Sequence, residues 1–511
     1  MKFLKDIDYK LFDLSDDNSL VFFPQDPSLF RIKPIIKDIL LIEEKSISGL
    51  KNKYSADAIN EALKELETVK NRGFLNNRAT KKYWNSFKGI KQDEIFPTSM
   101  TLHVAQDCNM VCSYCFAEGG SFGKEIKEKR MSWDIARRSI DWFMAKHKNK
   151  EEPVSIGFFG GEPLLNKEVI EKALKHTREN YSNEQYPAIR LLFTTNGTLF
   201  TEDFIRILYE YKCSFTVSLD AYQETHDRCR KYKDGRGTFD EIMKNISKVK
   251  EIAPELPFTV LATLKQDDDI DQYFKIHNAL GVAQLAFNIE YSLFATEKNK
   301  NKAHDVLGDI KNVLTSHLKE SMDSDVYLSC HLESYLAYLF HSGRMAYETC
   351  GAGLQRMGVA TNGDIYMCSR IFGDFNYMGT VFSGIIEQGF KKALDFNSKI
   401  DRYKEACNEC WARSYCYGLC VYADSSKNGR PSIKEGEKIS CDMIRFLIEY
   451  GFKFYTKMDM AKVISIVRKG IIDARKREEI ARKVELLYHV RDMRNSSMKH
   501  IQHVTPTIYR S

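Results

Sequence analysis

The sequence predicts an α/β fold: a partial (β/α)6 barrel at the centre, an N-terminal α+β domain before it, and a C-terminal Cys-rich domain with a helical tail. Three observations carry this. From about residue 99 the apolar pattern alternates between strand period and helix period. After residue 340 the alternation gives way to Cys- and Gly-rich loops, up to about residue 441. Ahead of residue 90, short apolar runs flank turn-rich sequence. The chain has 511 residues, 43% hydrophobic and 29% charged. That length can bury several cores, so no disulfide or metal is needed merely to make it fold.

The N-terminal domain reads in order. Residues 9–14 and 20–23 are apolar and flank SDDNS, which predicts a hairpin. An apolar segment over 35–42 follows. Ser55 is placed to cap a helix in which Ile59, Leu63, Leu66 and Val69 recur at helical spacing, and Gly73 is placed to end it. A hairpin with short helices fits a winged-helix-like module. Residues 76–98 are polar, aromatic and irregular, as a linker would be.

Six strands are predicted next, over 101–105, 154–159, 190–195, 214–219, 258–263 and 284–289. Amphipathic helices over 132–146, 167–180 and 239–251 lie between them. Repeated β-α units form a parallel sheet whose chemistry sits at the strand C-terminal ends. The expected divisions are 1–92, 93–335, 336–450 and a basic helical extension over 451–511.

Composition excludes several classes. Thirteen cysteines is an odd number, against a fully paired disulfide framework. MKFLKDIDYK lacks the apolar core of a secretory signal. No run of about 18 uncharged apolar residues exists; IKPIIKDILLI is broken by Lys33, Lys37 and Asp38. A cytoplasmic chain without membrane partners is expected, where clustered cysteines bind metal or act in redox chemistry. A net charge of +6 over this length does not imply nucleic acid. From Lys453 onward there are 14 Lys/Arg against 6 Asp/Glu, which reads as a solvated helical face or as a surface for an acidic partner.

Cys108, Cys112 and Cys115 form a C-x3-C-x2-C loop just after the first predicted strand. Three thiolates there can hold three corners of a cubane iron–sulfur cluster, leaving one iron open. A zinc loop or three unrelated thiols would also fit the spacing. Gly160, Gly161, Glu162 and Pro163 end the second strand, where glycines let a ligand approach the backbone and the carboxylate can accept an ammonium group. TTNG over 194–197 ends the third strand, and SLDA over 218–221 the fourth.

The C-x3-C-x2-C loop with Tyr114 before its last cysteine, GGEP, TNG and SLD resembles the radical S-adenosylmethionine (SAM) enzymes. The resemblance implies a [4Fe–4S] cluster on Cys108, Cys112 and Cys115 whose open iron chelates SAM. Gly160, Gly161 and Glu162 would receive the methionine amino group. The backbone around Tyr114 and Phe116 would lie against adenine, and Ser218 would contact the nucleoside. Arg230, in HDRCRKYKDGRGTF, would face the methionine carboxylate, as in the family's peptide-modifying branch. Asn196 and Asp220 belong to the same strand-end motifs, and Leu285 comes from the sixth strand.

Downstream, Cys350-x12-Gly363-x4-Cys368 precedes Cys407-x2-Cys410-x5-Cys416-x3-Cys420 and Cys441. Alone, 407–420 could be a zinc knuckle. The whole series is similar to the SPASM domain, which implies two auxiliary [4Fe–4S] clusters, three clusters in all. By the family's interleaved pattern Cys407, Cys410, Cys416 and Cys441 close one cluster. Cys350, Cys368 and Cys420 hold the other with three ligands. Sulfatase-maturating relatives carry an extra cysteine where this chain has Arg356, so the expected open iron could bind a substrate thiolate, unless Cys330 fills it. Cys213 and Cys229 are expected to be unligated.

The N-terminal domain looks like the recognition element of ribosomal-peptide maturases, where a leader peptide adds as a strand. LHVAQDCNMVCSYCFAEGG is especially similar to the maturases of six-cysteines-in-forty-five-residues peptides and other ranthipeptides. The resemblance implies a thioether from Cys sulfur to an acceptor-residue carbon, made through a 5′-deoxyadenosyl radical. It also implies a precursor peptide and an electron donor such as flavodoxin or ferredoxin. The rival expectations are a carbon–carbon crosslinking maturase and a formylglycine-forming sulfatase-type maturase. A zinc-containing nucleic-acid regulator would leave GGEP and C-x3-C-x2-C unexplained. No side-chain general base stands out.

Overall fold

The strand-period runs of the central region assemble into one sheet. The computed structural model describes residues 9–14, 17–24, 28–41, 47–69, 71, 91, 97–122, 127–265, 268–280, 284–289, 305, 307–313, 315–316, 351–399, 410–414, 436–455 and 501–503.

At the N-terminus, β1 (Lys10–Asp13) and β2 (Ser19–Phe23) form the expected antiparallel hairpin. A third strand, β3 (Ser28–Ile32), pairs antiparallel with β2. It escapes a pattern reading because SLFRI is short and lies between Pro27 and Pro34. The helices are α1 (Pro34–Leu41), α2 (Ile47–Lys51) and α3 (Ala56–Val69). Ser55 caps α3, its Oγ accepting from Ala58 N at 3.2 Å. Ile59, Leu66 and Val69 join Phe30, Ile32 and Ile36 in one apolar core. Gly73 lies outside the described residues.

The central region begins with β4 (Ser99–Ala105) and β5 (Met110–Cys112), the latter inside the cysteine loop. Helix α4 (Trp133–Ala145) is capped by Ser132, whose Oγ accepts from Ile135 N at 3.3 Å. Then come β6 (Val154–Gly160), α5 (Lys167–Tyr181), β7 (Ile189–Thr195), α6 (Glu202–Glu210) and β8 (Cys213–Ser218). After these follow α7 (Gln223–Cys229), β9 (Arg230–Tyr232), α8 (Phe239–Ile252), β10 (Phe258–Leu264), α9 (Ile270–Leu280) and β11 (Gln284–Ile289). Strands β4, β6, β7, β8, β10 and β11 pair in chain order and all parallel.

The Cys-rich segment, expected to be loops, contributes four short strands: β12 (Arg356–Val359), β13 (Asp364–Tyr366), β14 (Tyr377–Thr380) and β15 (Gly384–Ile385). β12 pairs parallel with β4 and the rest continue antiparallel, so one ten-stranded sheet runs from β11 to β15. Each is too short to show a period. Two helices follow, α10 (Glu387–Lys399) and α11 (Gly436–Tyr455). The tail was expected to be helical, yet Ile501–His503 forms β16, antiparallel to β3 in the N-terminal sheet. Three residues whose partner strand lies at the opposite end of the chain leave no local signal.

Alternation sets the two faces of the central sheet. In β10, Phe258, Val260, Ala262 and Leu264 are buried, whereas Thr259, Leu261 and Thr263 are half-buried. In β8, Phe215 and Val217 are buried, and Ser214, Thr216 and Ser218 are half-buried. Phe215, Val217, Phe258 and Val260 pack with Phe193, Ile242 and Ile246 into the main core. A closed barrel fills its interior with branched side chains. Here that face carries hydroxyls, and Leu192 on β7 is 39% exposed.

The N-terminal sheet packs on the C-terminal part through aromatic rings. Phe12 of β1 meets Trp411 and Phe452 at 5.0 and 5.7 Å between centroids, and Phe22 of β2 meets Phe452 at 4.9 Å. Among the described residues no helix is long and apolar enough to cross a membrane.

Candidate functional site

Where β4 ends, the chain turns into the cysteine loop and lies against the GGEP turn after β6. Gly161 N donates to Ala105 O and Glu162 N to Asp107 O, both at 2.8 Å. A Cβ at Gly160 would collide with the Ala105 carbonyl, and one at Gly161 with that of Asp107. Gly160 also has φ +143°. These glycines therefore permit a close approach of two backbone segments, a reason additional to the ligand approach that the motif suggests.

The loop presents its sulfurs to N–H donors. Cys108 Sγ accepts from Met110 N at 3.4 Å and from Asn196 Nδ2 at 3.9 Å, and Cys115 Sγ accepts from Gly119 N at 3.4 Å. Cys112 lies on β5 directly opposite Arg230 on β9. Burial pushes the Cys108 thiol up to about 12; the Met110 N–H opposes this, while the nearby Cys112 and Cys115 add to it. Burial likewise raises Cys112, against the pull of the Arg230 charge. Three crowded sulfurs, each facing hydrogen-bond donors or a cation, suit an iron–sulfur cluster as their common partner.

Glu162 joins two strand ends. It is fully buried, with Oε1 accepting from Leu164 N at 3.0 Å and Thr195 Oγ1 at 2.7 Å, and Oε2 accepting from Asn196 N at 2.7 Å. Burial raises its carboxyl to about 7, although all three donors oppose the shift. Asn196 Nδ2 also donates to Asn109 Oδ1 at 2.8 Å, and Asn109 Nδ2 to Thr198 Oγ1 at 2.9 Å. TTNG is thereby tied to the cysteine loop.

Asp220 is the electrostatic centre of the fourth strand end. Its Oδ2 accepts from Tyr114 Oη at 2.9 Å, Arg230 Nε at 3.2 Å and Lys265 Nζ at 3.0 Å, and its Oδ1 from Thr263 N at 2.9 Å. Burial alone would raise this carboxyl; the Arg230 and Lys265 charges overcome that and hold it well below the usual range. The Tyr114 ring has Arg230 Cζ at 5.1 Å and Lys265 Nζ at 5.2 Å from its centroid. Sequence reasoning missed Lys265, since a lysine after a strand ordinarily reads as surface. The HD…R…GRGTF run interlocks around the same point. His226 Nδ1 accepts from Asp220 N at 3.2 Å, and its Nε2 meets Thr238 Oγ1 at 3.0 Å. Asp227 Oδ1 accepts from Thr238 N at 2.7 Å and Phe239 N at 3.0 Å, heading α8.

The remaining candidates are placed as follows. Ser218 is half-buried at the end of β8. Leu285 lies on β11 opposite Val260. Phe116 stacks on Phe159 with centroids 6.3 Å apart, and Arg370 Cζ lies 5.6 Å from its ring. Arg370 N donates to Cys368 Sγ at 3.3 Å, so Cys368 is brought near the cysteine loop's aromatic flank. Gln106, just beyond β4, accepts from Thr361 N at 3.0 Å and Oγ1 at 2.8 Å, which fastens this segment to the sheet. The Arg445 guanidinium of α11 lies within electrostatic reach of both Cys410 and Cys441, so these two cysteines share a neighbour. Arg356 is exposed on β12. Cys330, Cys350, Cys407, Cys416 and Cys420 lie outside the described residues.

Residues 102–275 match the Radical SAM superfamily. The chain is 26% identical over 363 residues to the radical SAM cyclopropyl synthase TigE of Paramaledivibacter caminithermalis, covering 68% of this chain and 73% of that protein. It is 23% identical over 343 residues to a cysteine-type anaerobic sulfatase-maturating enzyme of Clostridium perfringens, covering 65% of this chain and 90% of the relative. The solved structure of anSMEcpe with bound AdoMet shares its fold, with a TM-score of 0.57 at 21% identity over 76% of this chain and 98% of that one. Enzymes of this superfamily use a [4Fe–4S] cluster and SAM. The chain is a radical SAM enzyme, and residues 102–275 are its radical SAM domain.

Proposed function

We propose that this enzyme matures a ribosomally made precursor peptide by joining a Cys sulfur to an acceptor-residue carbon. What supports the thioether is the cysteine spacing of the sequence, by which Cys350, Cys368 and Cys420 would supply three ligands, with Arg356 where sulfatase-type relatives carry a further cysteine. An iron left open there would hold a substrate thiolate in place for bond formation. Cys108, Cys112 and Cys115 would hold the SAM-binding cluster, and Cys407, Cys410, Cys416 and Cys441 the closed auxiliary one. When bound, the clusters and SAM supply a 5′-deoxyadenosyl radical and carry away the surplus electron.

The chain's own residues orient SAM. Arg230 and Lys265 bring two buried positive charges to the Asp220 carboxylate, and Asp268 Oδ2 lies 3.7 Å from the lysine. The guanidinium of Arg230, which has donors left over from its one bond to Asp220, suits the methionine carboxylate of SAM. Carbonyls at the Gly160 and Gly161 turn, together with Glu162 and Asn196, would face the amino group. Tyr114 and Phe116 would bound adenine, Ser218 would meet the ribose, and Leu285 would close the far side. The half-buried face that carries hydroxyls on β8 and β10, taken as part of a partial barrel, would leave room for an extended peptide. Residues 1–92 would dock the leader, 93–335 carry the radical chemistry and 336–450 the auxiliary clusters. The setting is the cytoplasm, with flavodoxin or ferredoxin as electron donor.

The cyclopropyl synthase relative favours a second reading, carbon–carbon bond formation. Anaerobic co-expression with a small Cys-containing open reading frame beside the gene separates them by mass spectrometry before and after iodoacetamide. A thioether product loses two hydrogens and one alkylatable thiol. Loss of two hydrogens with every thiol retained would replace the thioether by a carbon–carbon bond, and loss of the sulfur would point to formylglycine.

A further inference from the structure

The last described residues of the chain occupy a place in its first domain. Ile501–His503 pairs antiparallel with β3, placing Ile501 opposite Ile32, Gln502 opposite Arg31 and His503 opposite Phe30. The order of the N-terminal sheet is β1, β2, β3, β16, so the tail covers the β3 edge. Ile501 is 2% exposed and sits in the core with Phe30, Ile32, Leu66 and Val69. Its N–H donates to Glu65 Oε2 at 2.9 Å, and Glu65, on α3, is itself buried. The groove between β3 and α3 therefore has the three features of a strand-binding site: a backbone edge, an apolar slot and a buried acceptor aimed at the incoming main chain.

We infer that β16 is an internal competitor, which fills the strand site between β3 and α3 and must leave before an extended segment of the peptide substrate can pair there. The inference rests on the reading of residues 1–92 as the peptide-docking domain. Two features make exchange feasible. The pairing spans only three residues, so a longer peptide strand makes more main-chain bonds to the same edge. The tail competes from within the same chain, which sets a finite effective concentration that a free peptide can overcome.

The test uses the full-length, cluster-loaded enzyme and a fluorescein-labelled synthetic peptide with the sequence of residues 498–507, MKHIQHVTPT. Ile501→Asp puts a charge in the apolar slot beside Glu65 and should free the edge. This variant should bind the probe about tenfold more tightly than the unaltered enzyme. A probe carrying Asp at the Ile501 position should bind neither protein. Equal binding by both proteins, or no binding by a variant that keeps its circular dichroism and iron content, overturns the inference. A measurement on the unaltered enzyme guards against a variant that fails to fold. In hydrogen–deuterium exchange, β3 amides should exchange faster than those of β7, and excess probe should slow them. Protection of β3 and β16 equal to that of β7 would make the tail strand a permanent part of the sheet and also overturn the inference. Absence of probe binding would leave the alkylation test of the crosslink untouched, and a product without a thioether would leave probe binding as it is.

Discussion

Asp220→Asn tests whether the fourth strand end is held by charge. The substitution keeps the shape and removes the anion from between Arg230 and Lys265, whose side chains are 8% and 5% exposed. Each charge-assisted hydrogen bond is worth about 1.5–3 kcal/mol, and removing one member of a buried ion pair costs about 3–5 kcal/mol. Lys265 keeps Thr263 O at 3.0 Å and Asp268 Oδ2 at 3.7 Å, so the costs do not simply add. A loss of about 3–5 kcal/mol at pH 7 is expected. Lys265→Met leaves Asp220 with Arg230, Tyr114 and Thr263 N and should cost less, about 1–3 kcal/mol. The pH dependence has a definite sign. The folded carboxyl is held below its unfolded value, so its stabilisation is complete above about pH 4 and is lost only as pH falls through the folded value. The difference between the unaltered enzyme and Asp220→Asn should therefore be constant from pH 6 to pH 9. Anaerobic urea unfolding followed by circular dichroism measures it. A loss under about 1 kcal/mol, equal losses for the two variants, or a marked pH slope in that range would refute the reasoning.

Three further outcomes are expected. Cys112→Ala should abolish 5′-deoxyadenosine formation, read by chromatography; full production would remove Cys112 from the SAM cluster. Cys420→Ala should spare part of the SAM cleavage yet lose crosslinking, and a normally crosslinked product would contradict its role. Glu162 is raised in the fold from 4.5 to about 7, so its contribution is fully present below the unfolded value and lost as pH rises through about 7. Relative to Glu162→Gln, stability should fall by about 2.5 kcal/mol between pH 5 and pH 8, and a flat difference in unfolding free energy would exclude that burial effect.

The six parallel strands were legible because each carries its own local period. The described strand boundaries of β4 and β6 through β8 lie within two residues of those expected. The cysteine loop, GGEP, TTNG and SLD were legible because spacing is local too. What escaped is what depends on partners distant in sequence. The burial of the lysine at 265 is explained by Asp220, a carboxylate on another strand end. Ile501–His503 has no pattern of its own and is defined by β3. The motif alone explains the glycines at 160 and 161 as room for a ligand, whereas the fold also needs them where β4 and β6 end side by side.

The aromatic contact of Phe12 and Phe22 with Trp411 and Phe452 bears on how such an enzyme can be recombined. A graft cut near residue 92 would transplant a hairpin stripped of its ring partners and a sheet lacking its last strand. The transferable unit is discontinuous: the N-terminal sheet and helices, the turn holding Trp411, the helix holding Phe452 and the strand at 501–503. Chimeras that exchange all four pieces together should stay soluble where a simple N-terminal swap precipitates.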